Sequence, residues 1–430
     1  MNIIPQMSLF GEDEFKDLGD LERLQMVLSA LPDGELIRKL YRIRGKGRND
    51  WPCEAMWNSF IASFLFEHPT TEALLRELRR NSQLRKLCGF ETKCVRQKDG
   101  SYRVYTAPSA SAYSNFLENL RGCRKELSEM FRCMVEYMYE HLEHFGEYLM
   151  VDGKAIQSYA KGISRKKKED GRGEHDGDWC RKTYTTTGRN GEKAAKSVKW
   201  FGFRLHLIAD ATWEMPVAFE VTKASGSEKT ETKKLLETMK KENPEQLKEC
   251  RYFLGDKGYD STKIIKCLEG EGICPIIDIC NQWKDGEETH QYRDSSLVYD
   301  YRGSVWYVDE KGKKQKMSYK GYDKRTESLR YGFPPQIKDH RIFRIKCEED
   351  RRIFTPVARD SKKWKRLYKK RSGIERINGR LDRDYKFERH TIRGIGKMKM
   401  FLTVTFLVYM GLAKAKIERG RKEHLCRMYA

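Results

Sequence analysis

Tyr148-Leu149-Met150-Val151-Asp152-Gly153-Lys154-Ala155-Ile156 is an apolar run that ends on a carboxylate, with a glycine directly after it. Such a run reads as a buried strand that delivers Asp152 to a sheet edge where a ligand can bind. The stretch Arg251-Tyr252-Phe253-Leu254-Gly255-Asp256-Lys257-Gly258-Tyr259 has the same form, with Asp256 at its end. A third carboxylate, Glu375, lies in the basic helical segment Tyr368-Lys369-Lys370-Arg371-Ser372-Gly373-Ile374-Glu375-Arg376. Two strand-end aspartates and one helical glutamate in a basic chain predict a carboxylate cage for divalent metal acting on a phosphodiester. Hard oxygen donors suit Mg2+ or Mn2+; two such ions about 3.5–4 Å apart would activate a water or a 3′-hydroxyl and stabilise the leaving oxygen.

The whole chain fits that chemistry. At 430 residues it is too long for one small core, and its formal net charge is +22. The charge gathers in Arg165-Lys166-Lys167-Lys168 and between residues 362 and 393, and blocks of this kind meet a polyanion, nucleic acid ahead of a membrane surface. The 12 cysteines form no C-x-x-C; Cys88 and Cys94, like Cys274 and Cys280, have five residues between them, a poor zinc spacing. Residues 1–13 carry neither a basic region nor a sustained apolar run, so no signal peptide is expected; scattered cysteines then fit a reducing cytosol. The apolar run 400–413 is too short for a comfortable membrane span and reads as a buried helix.

Taken in order, residues 21–90 show helical periodicity, with Leu21, Leu24, Val27, Leu28 and Leu31 on one face and a capped helix opening at Thr70-Thr71-Glu72-Ala73. This module is either a DNA reader, with Arg76, Arg79 and Arg80 exposed, or a dimerisation and support domain. Residues 91–103 predict a turn or hairpin, 110–144 one long helix, and 161–199 a mobile basic loop. A hairpin follows at 200–221, where His206 alternates with apolar neighbours and reads as a satisfied core histidine. Helix 230–241, the Asp256 strand, helix 260–269 and strand 274–278 complete a mixed α/β layer. Residues 281–351, with alternating polar and aromatic positions, predict a β-rich insertion.

One aspartate at a strand end is most often a cap or turn residue. Two, each closing an apolar run, carry more weight, because adjacent parallel strands would place both at one end of a sheet. Tyr368, Arg371 and Glu375 fall at i, i+3 and i+7, one face of a helix, where a tyrosine and an arginine suit phosphate clamping beside a metal-binding glutamate. The plainer alternative is a basic solvated helix.

The segments Val151-Asp152-Gly153-Lys154, Trp200-Phe201-Gly202-Phe203-Arg204-Leu205-His206, Gly255-Asp256-Lys257-Gly258-Tyr259-Asp260 and Glu375-Arg376-Ile377-Asn378-Gly379-Arg380-Leu381 together resemble the catalytic core of bacterial insertion-sequence transposases of the DDE type. Residues 51–90 are similar to the helical domain that precedes that core. The resemblance implies a ribonuclease-H-like fold with Asp152, Asp256 and Glu375 as the catalytic, metal-binding triad. It also makes Tyr368 and Arg371 the first members of a tyrosine–arginine–glutamate–lysine signature. The lysine expected seven residues after the glutamate is Asp382 here, and Arg383 or Lys386 would substitute. Trp283 or Trp306 would stack on a flipped base, although a buried aromatic is the plainer role for either. The neighbouring acids Asp260 and Asp382 are expected to tolerate loss of charge.

The expected architecture is therefore α/β: a ribonuclease-H-like mixed sheet flanked by helices, an all-helical N-terminal domain, and a β-rich insertion before the glutamate helix. The expected divisions are residues 1–145 helical, 146–280 the first part of the core, 281–351 the insertion, and 352–430 the C-terminal core helices. The resemblance implies cleavage at element ends, which frees a 3′-hydroxyl, then attack of that hydroxyl on target DNA. DNA is then the partner, as terminal inverted repeats and target, with a homodimer or larger assembly in the complex, acting in the bacterial cytoplasm at the nucleoid. Two alternatives stay open: a nuclease of the same fold without strand transfer, and a DNA-binding repressor or domesticated transposase.

Overall fold

The computed structural model describes residues 18–46, 51–163, 172–187 and 193–427. The stretch 1–13 and the block Arg165-Lys166-Lys167-Lys168 lie outside them. The chain forms two compact units, one of residues 1–141, 158–176 and 380–430, the other of residues 142–157 and 177–379.

The first unit is helical: α1 (Leu21–Ala30), α2 (Gly34–Arg44), α3 (Cys53–Leu65), α4 (Thr71–Arg80), α5 (Ser82–Cys88), α6 (Ala110–Arg121) and α7 (Arg124–His141), with hairpin β1 (Lys93–Arg96) and β2 (Tyr102–Tyr105) between α5 and α6. Thr70 caps α4 by accepting from Ala73 N, as the sequence predicts. The single helix expected over 110–144 is two. Gly122 interrupts it, and Gly122 N and Cys123 N close three-residue turns on Asn119 O and Leu120 O.

Residues 380–430 fall in this helical unit. Their long helix, assigned after α11 and α12 below as α13 (Ile395–Glu418), exceeds the apolar run 400–413 in both directions and is long and apolar enough to cross a bilayer. It is instead sheathed by α1, α3 and α7. Phe401 packs edge-on to Phe60 at 5.2 Å, Phe406 lies 6.2 Å from Phe131, and a Cβ on Gly411 would stand 3.2 Å from Val27. A helix apolar on all sides is stabilised by such complete enclosure.

The second unit is built on a mixed sheet: β3 (Tyr148–Gln157), β4 (Asp178–Thr187), β5 (Lys193–Asp210), β6 (Pro216–Lys223), β7 (Tyr252–Gly255) and β8 (Cys274–Ile277). The order is β4-β5-β3-β7-β8, with β6 on β5. β5 is antiparallel to β3 and β6, whereas β7 is parallel to both β3 and β8. Strands β6-β5-β3-β7-β8 thus have the ribonuclease-H-like topology. Helices α8 (Glu228–Glu242), α9 (Pro244–Lys248) and α10 (Thr262–Gly270) connect the parallel strands. Residues 178–187 and 193–199, expected within a loop, form a ribbon running from Asp178↔Gly202 to Thr187↔Lys193. Threonine and aromatic residues fit a pleated strand, and the ladder overrides their polar composition.

The insertion is β-rich, as expected. β9 (His290–Gln291), β10 (Leu297–Tyr299), β11 (Val305–Val308) and β12 (Lys314–Lys316) make one antiparallel sheet, and β13 (Ser318–Asp323), β14 (Ser328–Gly332) and β15 (Ile342–Lys346) another. Leu297, Val305, Leu329, Tyr331, Ile345 and Phe354 form its shared core. The chain then enters α11 (Lys362–Lys369) and α12 (Ser372–Arg383).

Candidate active site

Parallel pairing sets the first two carboxylates. Met150 of β3 lies opposite Leu254 of β7 in the last pair of that ladder, so Asp152 and Asp256 each come two residues later on the same side; Asp256 follows the end of β7, whereas Asp152, expected at a strand end, lies within β3, which runs on to Gln157 against β5. Asp256 accepts from Gly258 N at 2.7 Å and opens a 3-10 turn, Lys257–Tyr259. Burial raises the Asp152 carboxyl above the usual aspartate range, and the negative charge of Asp256 raises it further. The glycines after these acids leave room for neighbouring carboxylates. A Cβ on Gly153 would lie 2.7 Å from Glu228 Oε1, and one on Gly258 would lie 3.0 Å from Glu228 Oε2 and 2.8 Å from Asp256 Oδ1.

Glu228, absent from the sequence reading, therefore faces the same gap as Asp256. It opens α8 and forms ion pairs with Arg204 at 3.3 Å and Lys182 at 3.5 Å. Its only signal in the sequence was its place at a helix start, which is the ordinary position for a glutamate. Burial pushes the Tyr259 hydroxyl well above its ordinary range, with Asp152, Glu228 and Asp256 adding to the shift. That hydroxyl is buried and has no hydrogen-bond partner among the described residues.

Tyr368, Arg371 and Glu375 do not share one helix. Tyr368 closes α11, Arg371 sits in the joint, and Glu375 is in the first turn of α12. Arg371 N, Gly373 N and Ile374 N bond to Tyr368 O, Lys370 O and Arg371 O, so tight turns carry the chain across the joint. Gly373 also lets α12 lie close on the sheet, because a Cβ there would stand 3.1 Å from Met150 Cε. Tyr368 stacks on Trp364, with ring centroids 4.5 Å apart. Arg371 Nη2 donates to Glu375 Oε1 at 2.5 Å, while its charge acts on Asp152. The Glu375 side chain is 59% exposed.

The expected cluster of three converged carboxylates is thus an adjacent pair plus a third held by arginine. Among the described residues no group of three His, Cys, Asp or Glu side chains is placed to hold an ion. The donor chemistry still fits a divalent cation. Asp152 and Asp256 are hard oxygen donors whose mutual repulsion a cation would relieve. Asn378 beside them carries a buried, unpartnered amide oxygen.

The remaining candidates are distributed differently. In the helical unit, Lys386 pairs with Glu67 at 2.6 Å and Arg383 with Asp384 at 2.6 Å. In the insertion, Trp283 stacks on His290 at 3.7 Å, and half-buried Trp306 lies under Lys316 Nζ at 5.9 Å. His206 is fully buried in the core as expected, with Nε2 2.9 Å from Thr222 Oγ1, but its ring is only half satisfied, because Nδ1 has no hydrogen-bond partner among the described residues. Asp260 is fully buried, accepts from Cys280 N and pairs with Arg352 at 3.0 Å, a structural role. Its place two residues before a helix gave no sign of that burial.

The topology and the acidic pair define the core of a ribonuclease-H-like enzyme. The sequence matches the model of the family described as "Transposase DDE domain" over residues 150–410, and that of "Transposase domain (DUF772)" over 13–98. The chain belongs to the DDE transposases, enzymes that cleave DNA and transfer its strands, and dependence on divalent metal comes with that family in general. No match was found among curated proteins. Among solved structures it is similar to the piggyBac transposase in a synaptic complex with hairpin DNA, at TM-score 0.39 and 10% identity, covering 95% of this chain and 77% of that one. It also matches the Mos1 transposase in a paired-end complex with the left transposon end, at TM-score 0.16 and 13% identity over 55% and 60% of the two chains. The family assignment rests on the two sequence models.

Proposed function

We propose that Asp152, Asp256 and Glu375 are the catalytic, metal-holding carboxylates of this transposase. The observation that carries this reading is the β3–β7 register, in which Asp152 and Asp256 each lie two residues past the last pair, with the charge of one acting on the other. Divalent cation, as two Mg2+ or Mn2+ ions, supplies nucleophile activation and neutralises charge at the phosphate. Glu375 completes the set by leaving Arg371, and the freed guanidinium takes a DNA phosphate, for which its planar fork is suited. Tyr368, held by Trp364, lines the same approach.

Arg383 and Lys386 stand in for the missing lysine, with DNA phosphates replacing Asp384 and Glu67 as partners. Arg165, Lys166, Lys167 and Lys168 grip backbone phosphates without regard to sequence. Trp306 offers a face for a displaced base. The substrates are the inverted-repeat ends of the protein's own element and target DNA, handled by a homodimer or larger assembly at the bacterial nucleoid.

The test incubates the full-length protein with labelled DNA ends flanking its gene and Mg2+. Joined products support the reading. Cutting without joining would mark a nuclease, and binding alone a repressor. Neutralising Arg165–Lys168 together should weaken binding alike across sequences and flatten its salt dependence; loss confined to one sequence would make the block a base reader.

A further inference from the structure

Asn378 follows Glu375 by one turn of α12, and its Nδ2 donates to Asp152 Oδ2 at 2.9 Å. Glu375 is turned to Arg371, so the α12 side chain that reaches the Asp152 carboxylate is the amide. The close seat of Gly373 against Met150 brings this part of α12 near β3, and Met150 and Asp152 share one face of that strand. The amide oxygen of Asn378 is buried and has no hydrogen-bond partner among the described residues.

We infer that Asn378 is a positioning residue: its amide N–H fixes the rotation of the Asp152 carboxylate so that the free edge of that group faces the divalent cation. The inference rests on the reading of Asp152 as a metal-holding residue. Groups that orient a ligand from behind set metal affinity, and their loss costs about 10–100-fold. Asn378 touches neither DNA nor metal in this scheme; it acts through Asp152.

The experiment titrates Mn2+ into the full-length protein without DNA, with free Mn2+ read by electron paramagnetic resonance, for the wild type, Asn378→Leu, Asn378→Ala and Asp152→Asn. Leucine keeps the volume and removes the donor. Alanine is the best helix former and serves if the leucine variant does not fold. Both Asn378 variants should bind Mn2+ about tenfold or more weakly, with the half-saturating Mn2+ for end cleavage raised in step and metal-free DNA binding unchanged. Wild-type Mn2+ affinity in a folded Asn378 variant, with Asp152→Asn impaired, would overturn the inference. Wild-type affinity in Asp152→Asn would instead overturn the underlying reading, so the two failures are distinct.

Discussion

The two sides of the candidate site are built on different physics. Asp152 lies within β3 and Asp256 directly after β7, each two residues past the last pair of their parallel ladder, so that ladder and a close-packed interior fix them before any ligand arrives. Glu375 stands beside a joint between two short helices, largely exposed, and its partner Arg371 is four residues away. A local pair of this kind is worth only about 0.3–0.5 kcal/mol, so binding DNA or metal readily exchanges it. The sheet side is a fixed template, and the helix side is a group that must be released.

The largest test of that contrast is catalytic. Asp152→Asn and Asp256→Asn should each lower cleavage and joining on the order of a thousandfold, equivalent to about 4 kcal/mol of transition-state stabilisation, while DNA binding survives or tightens. Glu375→Gln should fall as far if the glutamate leaves Arg371 in the working complex. Full activity in that variant would break the comparison and remove Glu375 from the site.

Stability tests the fixed side. Asp260→Asn removes one of the two carboxylates paired with buried Arg352, leaving Asp350, and should cost about 1.5–3 kcal/mol in urea unfolding. An unchanged midpoint would mean that the sheet edge is less constrained than its packing indicates. His206 gives a pH handle on the same sheet, since burial pushes its imidazole down to about 4. The unfolded value lies higher, near 6.5, so this contribution is complete above about pH 6.5 and is lost as pH falls toward 4. On the order of 2–3 kcal/mol should disappear between pH 7 and 4.5, and His206→Gln should flatten that slope. The smallest effect is expected at the seam. Gly373→Ala sets a Cβ against the flexible end of Met150, which should cost about 1 kcal/mol and slow cleavage by lifting α12. A neutral outcome in both measurements would show that the helix side does not depend on its close seat.

The apolar strands that carry Asp152 and Asp256, the β-rich insertion and the core placement of His206 were legible in the residues; Asp256 follows its strand as expected, whereas β3 runs past Asp152 to Gln157 along β5. Apolar runs, turn residues and alternation are local signals, and a strand fixes its side chains with period two. The failures share a cause. The ribbon of residues 178–187 and 193–199 looked like a loop because its composition is polar, yet pairing across many residues satisfied its backbone. The Tyr368–Glu375 segment looked like one helical face because periodicity does not register a joint. The burial of Asp260, the approach of Glu228 to the glycines after Asp152 and Asp256, and the bond from Asn378 to Asp152 depend on partners tens to hundreds of residues away. Sequence by itself determined which groups could do the chemistry and which strands carry them. Tertiary structure alone decided which of those groups meet, because hydrogen bonds and ion pairs reach only a few ångströms and only the folded chain brings distant residues that close.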